Sequence, residues 1–144
     1  MIQDDIFNCK EDVIVHQTNC MGVMGSGIAK QLRDKYPEVY KAYYYFCKNN
    51  KAEDIVGTSL ICEANNGKYI ANAFGQIGFG TDKPYTIYDA LEKALKEVAE
   101  FAEERNLTVA IPYKIGCGKG GGDWEIVSEI IERVIPNAKI YRKD

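Results

Sequence analysis

Residues 107–125 read LTVAIPYKIGCGKGGGDWE. A continuous apolar run, Val109–Ile111, passes into a loop in which five of the seven residues 116–122 are glycine; an Asp-Trp-Glu follows at once. Such a run is typical of a strand covered on both faces. The next segment, WEIVSEIIERVI, places Trp124, Val127, Ile130, Ile131 and Val134 on one helical face. Strand, glycine loop and amphipathic helix in this order predict a parallel α/β unit with its loop at the carboxyl end of the strand.

A second unit of the same kind lies upstream. EDVIVHQTN holds the apolar run Val13–Val15, then comes GVMGSG at 22–27, then the helical stretch IAKQLRDKY, ending before Pro37. A second helix, EVYKAYYYFCK, starts behind that proline, a residue suited to the first turn. IVGTSLICEA and KYIANAFGQ are β-rich and separated by Asn65-Asn66-Gly67, a strong hairpin signal. The longest helix follows, TIYDALEKALKEVAEFAEERN. Thr86 with Asp89 reads as a variant capping box there. Ile87, Leu91, Ala94, Leu95, Val98, Phe101 and Ala102 form its apolar stripe. AKIYR closes the chain as a short strand. The order strand, helices, hairpin, helix, strand, helix, strand predicts a three-layer α/β domain with a central mixed sheet.

The composition agrees. The chain has 144 residues, 46% of them hydrophobic and 27% charged, which fits one domain, residues 1–144, and one core. The net charge of −3 gives no bulk attraction to a polyanion, so nucleic acid is not an expected partner. The tyrosines at 40, 43, 44 and 45 lie on a helix without a basic face and read as packing, not as a base-stacking platform. No segment is long and apolar enough for a membrane, and the start, MIQDDIFNCK, carries acids where a signal peptide has bases. The five cysteines are widely spaced without a C-x-x-C pair, which fits reduced thiols in a cytoplasmic protein and no metal site; a monomer is expected.

Glycine lets a ligand touch the backbone, and successive N–H groups in a turn form a concave anion site. A helix starting just afterwards adds free N–H groups and its dipole. Both glycine loops fit this pattern, and two such loops in one crevice predict a diphosphate ligand. Known phosphate motifs do not fit. GxxxxGK[ST] is absent, and Gly116-Cys-Gly118-Lys-Gly-Gly121 matches G-x-G-x-x-G too near the end of the chain for a dinucleotide domain. A cysteine-phosphatase loop needs an arginine where Asp123 stands, which leaves Cys117 as a small filler beside the loop.

VIVHQTNCMGVMGSGIAKQL followed by IPYKIGCGKGGGDWEIV, with DDIF near the start and IANAFGQ in the middle, resembles a macrodomain over essentially the whole chain. It is most similar to the free-standing macrodomains of bacteria and phages described as ADP-ribose-1″-phosphate phosphatases, a branch that also removes ADP-ribose from acidic side chains or nucleic acid. The resemblance implies a three-layer α/β/α fold with a mixed sheet, an ADP-ribose ligand and no cofactor. Asp5 would accept from the adenine amino group, with the Ile6 N–H nearby. Asn19 would face the distal ribose. Gly25, Ser26, Gly27 and Ile28 would line the first phosphate loop, and Gly116, Cys117, Gly118, Lys119 and Gly120 the second. Tyr113 and Phe79 would flank the loops and cover adenine or distal ribose.

Two residues are candidates for catalysis. His16 ends the apolar strand, and an ordinary imidazole exchanges protons near neutral pH. It reads equally as a half-buried structural histidine. The resemblance favours function, because phosphatase-like members carry a histidine there. Asp123 reads as a helix N-cap or, by the resemblance, as the histidine's acid–base partner. Deglycosylating members use a lysine in the middle loop and an aspartate in the last glycine loop, where this chain has Gln76 and Gly120. The lysine mechanism is therefore not expected. The readings that remain are a hydrolase of ADP-ribose-1″-phosphate or a related ADP-ribosyl derivative, a non-catalytic ADP-ribose reader, and a scavenger of another adenine nucleotide.

Overall fold

A computed structural model describes residues 1–143. Six strands form one sheet: β1 (Ile2–Gln3), β2 (Val13–Thr18), β3 (Ser59–Glu63), β4 (Tyr69–Phe74), β5 (Val109–Pro112) and β6 (Lys139–Arg142). Their order is β1-β6-β5-β2-β4-β3. All neighbours are parallel except β3, which turns back along β4 through the Asn-Gly hairpin. The mixed sheet expected from the sequence is present. The two-residue edge strand β1 is an addition: too short for any periodicity, it is held by pairing with β6.

Five helices cover the sheet: α1 (Gly27–Lys35), α2 (Pro37–Asn49), α3 (Ala52–Ile55), α4 (Tyr88–Arg105) and α5 (Trp124–Val134). The alternation of β2 explains the layers. Val13 and Val15 point to one face and pack with Leu91, Leu95 and Val98 of α4 and Val127, Ile130 and Ile131 of α5. Ile14 points to the other face and packs with Leu32 of α1 and Val39 of α2. The expected stripe of α4 is buried at Leu91, Ala94, Leu95, Val98 and Ala102 and half-buried at Phe101, but Ile87 is 40% exposed and precedes the helix. The capping box is not formed. The N-cap is Ile87, without a side-chain bond, and the Thr86 hydroxyl instead donates to the Gly116 carbonyl at 2.6 Å. A tertiary contact has taken the group that a local cap would use. Tyr43 is fully buried, with its hydroxyl 2.8 Å from the Asn19 carbonyl, so the tyrosine cluster packs one side of α2, as expected.

This topology positions the site. The segments after β1, β6, β5, β2 and β4 all leave the same end of the sheet. Adjacent strands β2 and β5 send their following helices to opposite faces, α1 to one and α5 to the other. The chain thus opens a crevice between them, the switch point where α/β sheets bind ligands.

Candidate ADP-ribose cleft

A cleft of about 760 Å³ occupies that crevice, within the usual range for small-molecule sites. A second cavity of about 380 Å³ adjoins it and shares Ile28, Pro112 and Tyr113 with it. Asp5 and Ile6 line the smaller cavity. The sheet order gives the direction: Asp5 follows β1, the glycine loops follow β5 and β2 at the centre, and Gln76 and Phe79 follow β4 on the far side. Across this span lie Asn19, Gly25, Ser26, Gly27, Ile28, Gln76, Phe79, Tyr113, Gly116, Gly118, Lys119 and Gly120, all of which the sequence singled out.

The loops differ in how they offer N–H groups. At α1 the N-cap Ser26 makes no side-chain capping bond, and the first backbone bond returning to the helix is Lys30 N to Ser26 O. Among the described residues the N–H groups of Gly25 to Ala29 therefore have no partner, and the positive end of α1 is left open at the cleft. In the second loop the N–H groups of Gly116, Gly118, Lys119 and Gly120 are likewise unpaired among the described residues. The helix behind that loop does not contribute. Asp123 caps α5 by accepting from Glu125 N at 2.9 Å, and it does not line the cleft. The expected combination of nest and helix terminus thus holds for the first loop only, because the chain supplies its own anion to α5.

Asp123 and His16 share no hydrogen bond among the described residues, and of the two only His16 lines the cleft. Asp123 is exposed at its cap, whereas His16 is buried, with Nε2 2.6 Å from the Asn72 Oδ1. The Asn72 Nδ2 donates to the Leu60 carbonyl at 3.0 Å, which makes Oδ1 the acceptor and places the imidazole proton on Nε2. Nδ1 is then a bare acceptor, buried and without a partner among the described residues. Burial pushes the His16 pKa down to about 4, against a smaller upward effect of the Asn72 bond. The ring is neutral at pH 7, which corrects the expectation of a proton exchanger near neutrality. Its remaining capacity there is that of a hydrogen-bond acceptor. Replacing Asp123 by alanine is expected to cost about 1 kcal/mol of stability through loss of the cap, with ligand affinity of the cleft unchanged. Chemical denaturation and binding assays on the same variant check this.

Two other expected contacts are revised. Cys117 does not line the cleft. Its Sγ lies 3.4 Å from the Ile115 carbonyl, it packs against the core, and burial raises its thiol pKa, so it is the filler, not a ligand contact. Asn19 lines the cleft, but its amide holds the loop: Oδ1 accepts from Met21 N and Nδ2 donates to the Val23 carbonyl, at 2.9 and 2.8 Å. Asp5 accepts from Phe7 N at 3.0 Å, the main cause of its lowered pKa, and its other oxygen is 3.3 Å from Lys143 Nζ. It is a carboxylate acceptor at neutral pH, open to exchange its exposed lysine for an amine of a ligand.

Gln17 is the residue that sequence reading missed. Its Nε2 donates to Gln76 Oε1 at 2.7 Å and to Thr86 Oγ1 at 2.8 Å, tying together the segments behind β4 and before α4. A Cβ built on Gly75 or Gly116 would stand 2.3 or 2.8 Å from Gln17 Oε1, and one on Gly120 would stand 2.6 Å from Thr86 Oγ1. These glycines make room for protein side chains. Among the glycines that line the cleft, only at Gly27 and Gly118 would a Cβ meet nothing within 4 Å. The alternation of VIVHQT places Gln17 opposite His16, on the α4 face, and was the one available signal.

Comparison with known proteins agrees with this fold. The family model for the macro domain matches residues 15–131, and the chain belongs to that family. A DNA ADP-ribosyl glycohydrolase of Mycobacterium tuberculosis is 32% identical over 132 residues, 87% of this chain and 35% of the relative. An ADP-ribose 1″-phosphate phosphatase of Debaryomyces hansenii is 28% identical over 84% of this chain and 82% of the relative. A solved structure of a Bacteroides thetaiotaomicron protein of unknown function superposes with a TM-score of 0.87 at 31% identity, covering 98% of this chain and 95% of the other. The chain spans about a third of the length of the first curated relatives it matches. No helix among the described residues is long and apolar enough to cross a membrane.

Proposed function

We propose that this chain binds ADP-ribose across the cleft and hydrolyses an ADP-ribosyl derivative at the distal ribose, as a cytoplasmic protein. The observation that carries the reading is the pair of loops whose unpaired N–H groups border one cleft between β2 and β5. Two rows of donors suit a diphosphate. The adjoining cavity, with the Asp5 carboxylate at its edge, suits adenine and its exocyclic amine. Tyr113, shared by both cavities, forms the step between them. Relatives named as an ADP-ribose 1″-phosphate phosphatase and a DNA ADP-ribosyl glycohydrolase support hydrolysis.

The lining holds no Asp or Glu and includes the lysines at 114 and 119. The lining thus offers no carboxylate base, and the bare Nδ1 of neutral His16 is buried. A water held against C1″ by loop N–H groups would lose its proton to an oxygen of the ligand's own diphosphate as its oxygen bonds to C1″ and the bond from C1″ to the departing group breaks; that proton then passes to the departing group, while the backbone donors fix the diphosphate. The same lack of an acidic side chain favours a second reading, a reader that holds ADP-ribose without turnover.

Calorimetry with ADP-ribose, ADP and NAD tests binding. ADP-ribose is expected to bind at one site and at least tenfold more tightly than ADP. Equal affinities, or no binding of ADP-ribose at millimolar concentration, would refute the assignment. Release of ADP-ribose from conjugates separates hydrolase from reader.

A further inference from the structure

The charged side chains around the cleft gather towards the Asp5 end. The larger cavity is lined by Lys114 and Lys119, the smaller by Asp5, Arg142 and Lys143. At the opposite end, residues 18–29 and 69–81 contain no Asp, Glu, Lys or Arg. Two of the cations meet at Tyr113, the step between the cavities. The register of β5 and β6 pairs Pro112 with Tyr141, which sets Arg142 beside Tyr113. The Arg142 guanidinium carbon lies 4.5 Å from the centre of the Tyr113 ring, and Lys114 Nζ lies 5.6 Å from the same centre. Trp124 meets that ring edge to face at 5.0 Å and holds it in place. Lys114 has a left-handed backbone (φ 61°), in a turn closed by Ile115 N donating to the Pro112 carbonyl at 3.1 Å. A lysine has no preference for that conformation, and residues held in it gather at ligand sites.

ADP-ribose alone does not explain these cations. With adenine in the smaller cavity and the diphosphate between the loops, the adenosine ribose lies at the walls common to both, Ile28, Pro112 and Tyr113. ADP-ribose carries no anion at that ribose; its negative charges are on the diphosphate, which faces main-chain amides. Binding also releases a cation. When the adenine amine takes the Asp5 carboxylate, Lys143 Nζ, 3.3 Å from that carboxylate, gives up its contact. Asp5 is the one acid that lines either cavity among the described residues. A local excess of cations in a protein of net charge −3 selects an anion at that place.

Resting on the ADP-ribose reading, we propose that Arg142, Lys143 and Lys114 hold a phosphate ester on the 2′ or 3′ hydroxyl of the adenosine ribose, so that the preferred ligand is an ADP-ribose phosphorylated at its adenosine end. The planar fork of Arg142 suits two oxygens of a phosphate monoester, and the two lysines add point charges. All three side chains are exposed, so the gain is sensitive to salt. The added phosphate is remote from the distal ribose. It acts on affinity and leaves the group attached at C1″ untouched.

The test is calorimetry at low salt with ADP-ribose, 2′-phospho-ADP-ribose and 3′-phospho-ADP-ribose. One of the two phosphorylated ligands is expected to bind at least tenfold more tightly than ADP-ribose, and the isomer that does so identifies the hydroxyl. The gain is expected to shrink to about threefold or less in about 0.5 M salt. The double variant Arg142→Gln, Lys143→Gln is expected to reduce the gain to less than twofold, with ADP-ribose affinity within threefold of wild type. Arg142→Lys, which keeps the charge without the fork, is expected to retain a gain of about threefold. If neither isomer binds more tightly than ADP-ribose, or if the double variant keeps the full gain, the proposal is overturned. Where ADP-ribose itself binds in those cases, the phosphate site fails alone; if ADP-ribose does not bind at all, the underlying reading fails with it.

Discussion

Gly118→Val is expected to lower ADP-ribose affinity at least 100-fold, about 2.7 kcal/mol, while leaving the melting temperature of the free protein nearly unchanged. A Cβ at Gly118 meets nothing within 4 Å, so the folded protein accepts the side chain. The residue lines the cleft beside Lys119 and Gly120, and its own N–H is among the unpaired donors. A branched side chain there stands where the diphosphate must approach the backbone. Gly120→Ala is the matched control. Its Cβ would fall 2.6 Å from Thr86 Oγ1 and 2.8 Å from the Gly116 carbonyl, so it should cost about 1–3 kcal/mol of stability with the cleft empty. Calorimetry and thermal melts on both variants check the pair. A stable Gly118→Val protein that binds ADP-ribose normally would mean that this loop does not hold the ligand.

His16 should make the fold acid-sensitive. The unfolded chain takes up the imidazole proton near pH 6.5, whereas the folded protein takes it up only near 4. Between these values the unfolded state binds more protons, so stability falls as pH falls. The His16 contribution is intact above about pH 6.5 and shrinks towards pH 4. By pH 4.5 it amounts to a loss of about 2–3 kcal/mol. His16→Gln, which does not titrate, should show a flatter stability profile over this window by that amount in guanidinium unfolding at matched pH values. Parallel profiles for the two proteins would show that the ring is not held neutral. The physical cause is local: full burial on the α1 face of β2, with one acceptor, Asn72, and no acid to stabilise the imidazolium.

Much of the architecture could be read from periodicity and punctuation. Pro37 starts α2, Asn-Gly turns β3 into β4, and the apolar runs at 13–15 and 109–111 lie at the centre of the sheet. These signals are local, and nothing in the tertiary structure competes with them. The errors arose where a residue's partner is distant in sequence. Thr86 resembles a cap, but Gly116 and Gln17, 30 and 69 residues away, claim its hydroxyl. A glycine-rich run does not reveal which members face a ligand and which face Gln17, because that depends on a side chain about 100 residues upstream. The depressed pKa of His16 follows from the layers packed around it, which no strand pattern encodes. Asp123 was legible as a cap, and its coupling to His16 came from resemblance alone.

The central claim is that two sets of free main-chain amides grip a diphosphate. Amide-resolved NMR during titration with ADP-ribose tests it most directly. The N–H signals of Gly25 to Ala29 and of Gly116, Gly118, Lys119 and Gly120 should shift together with one dissociation constant, while Glu125, whose amide is held by Asp123, should barely move. Saturation of binding with those nine amides unperturbed, or with shifts confined to another surface, would contradict the account.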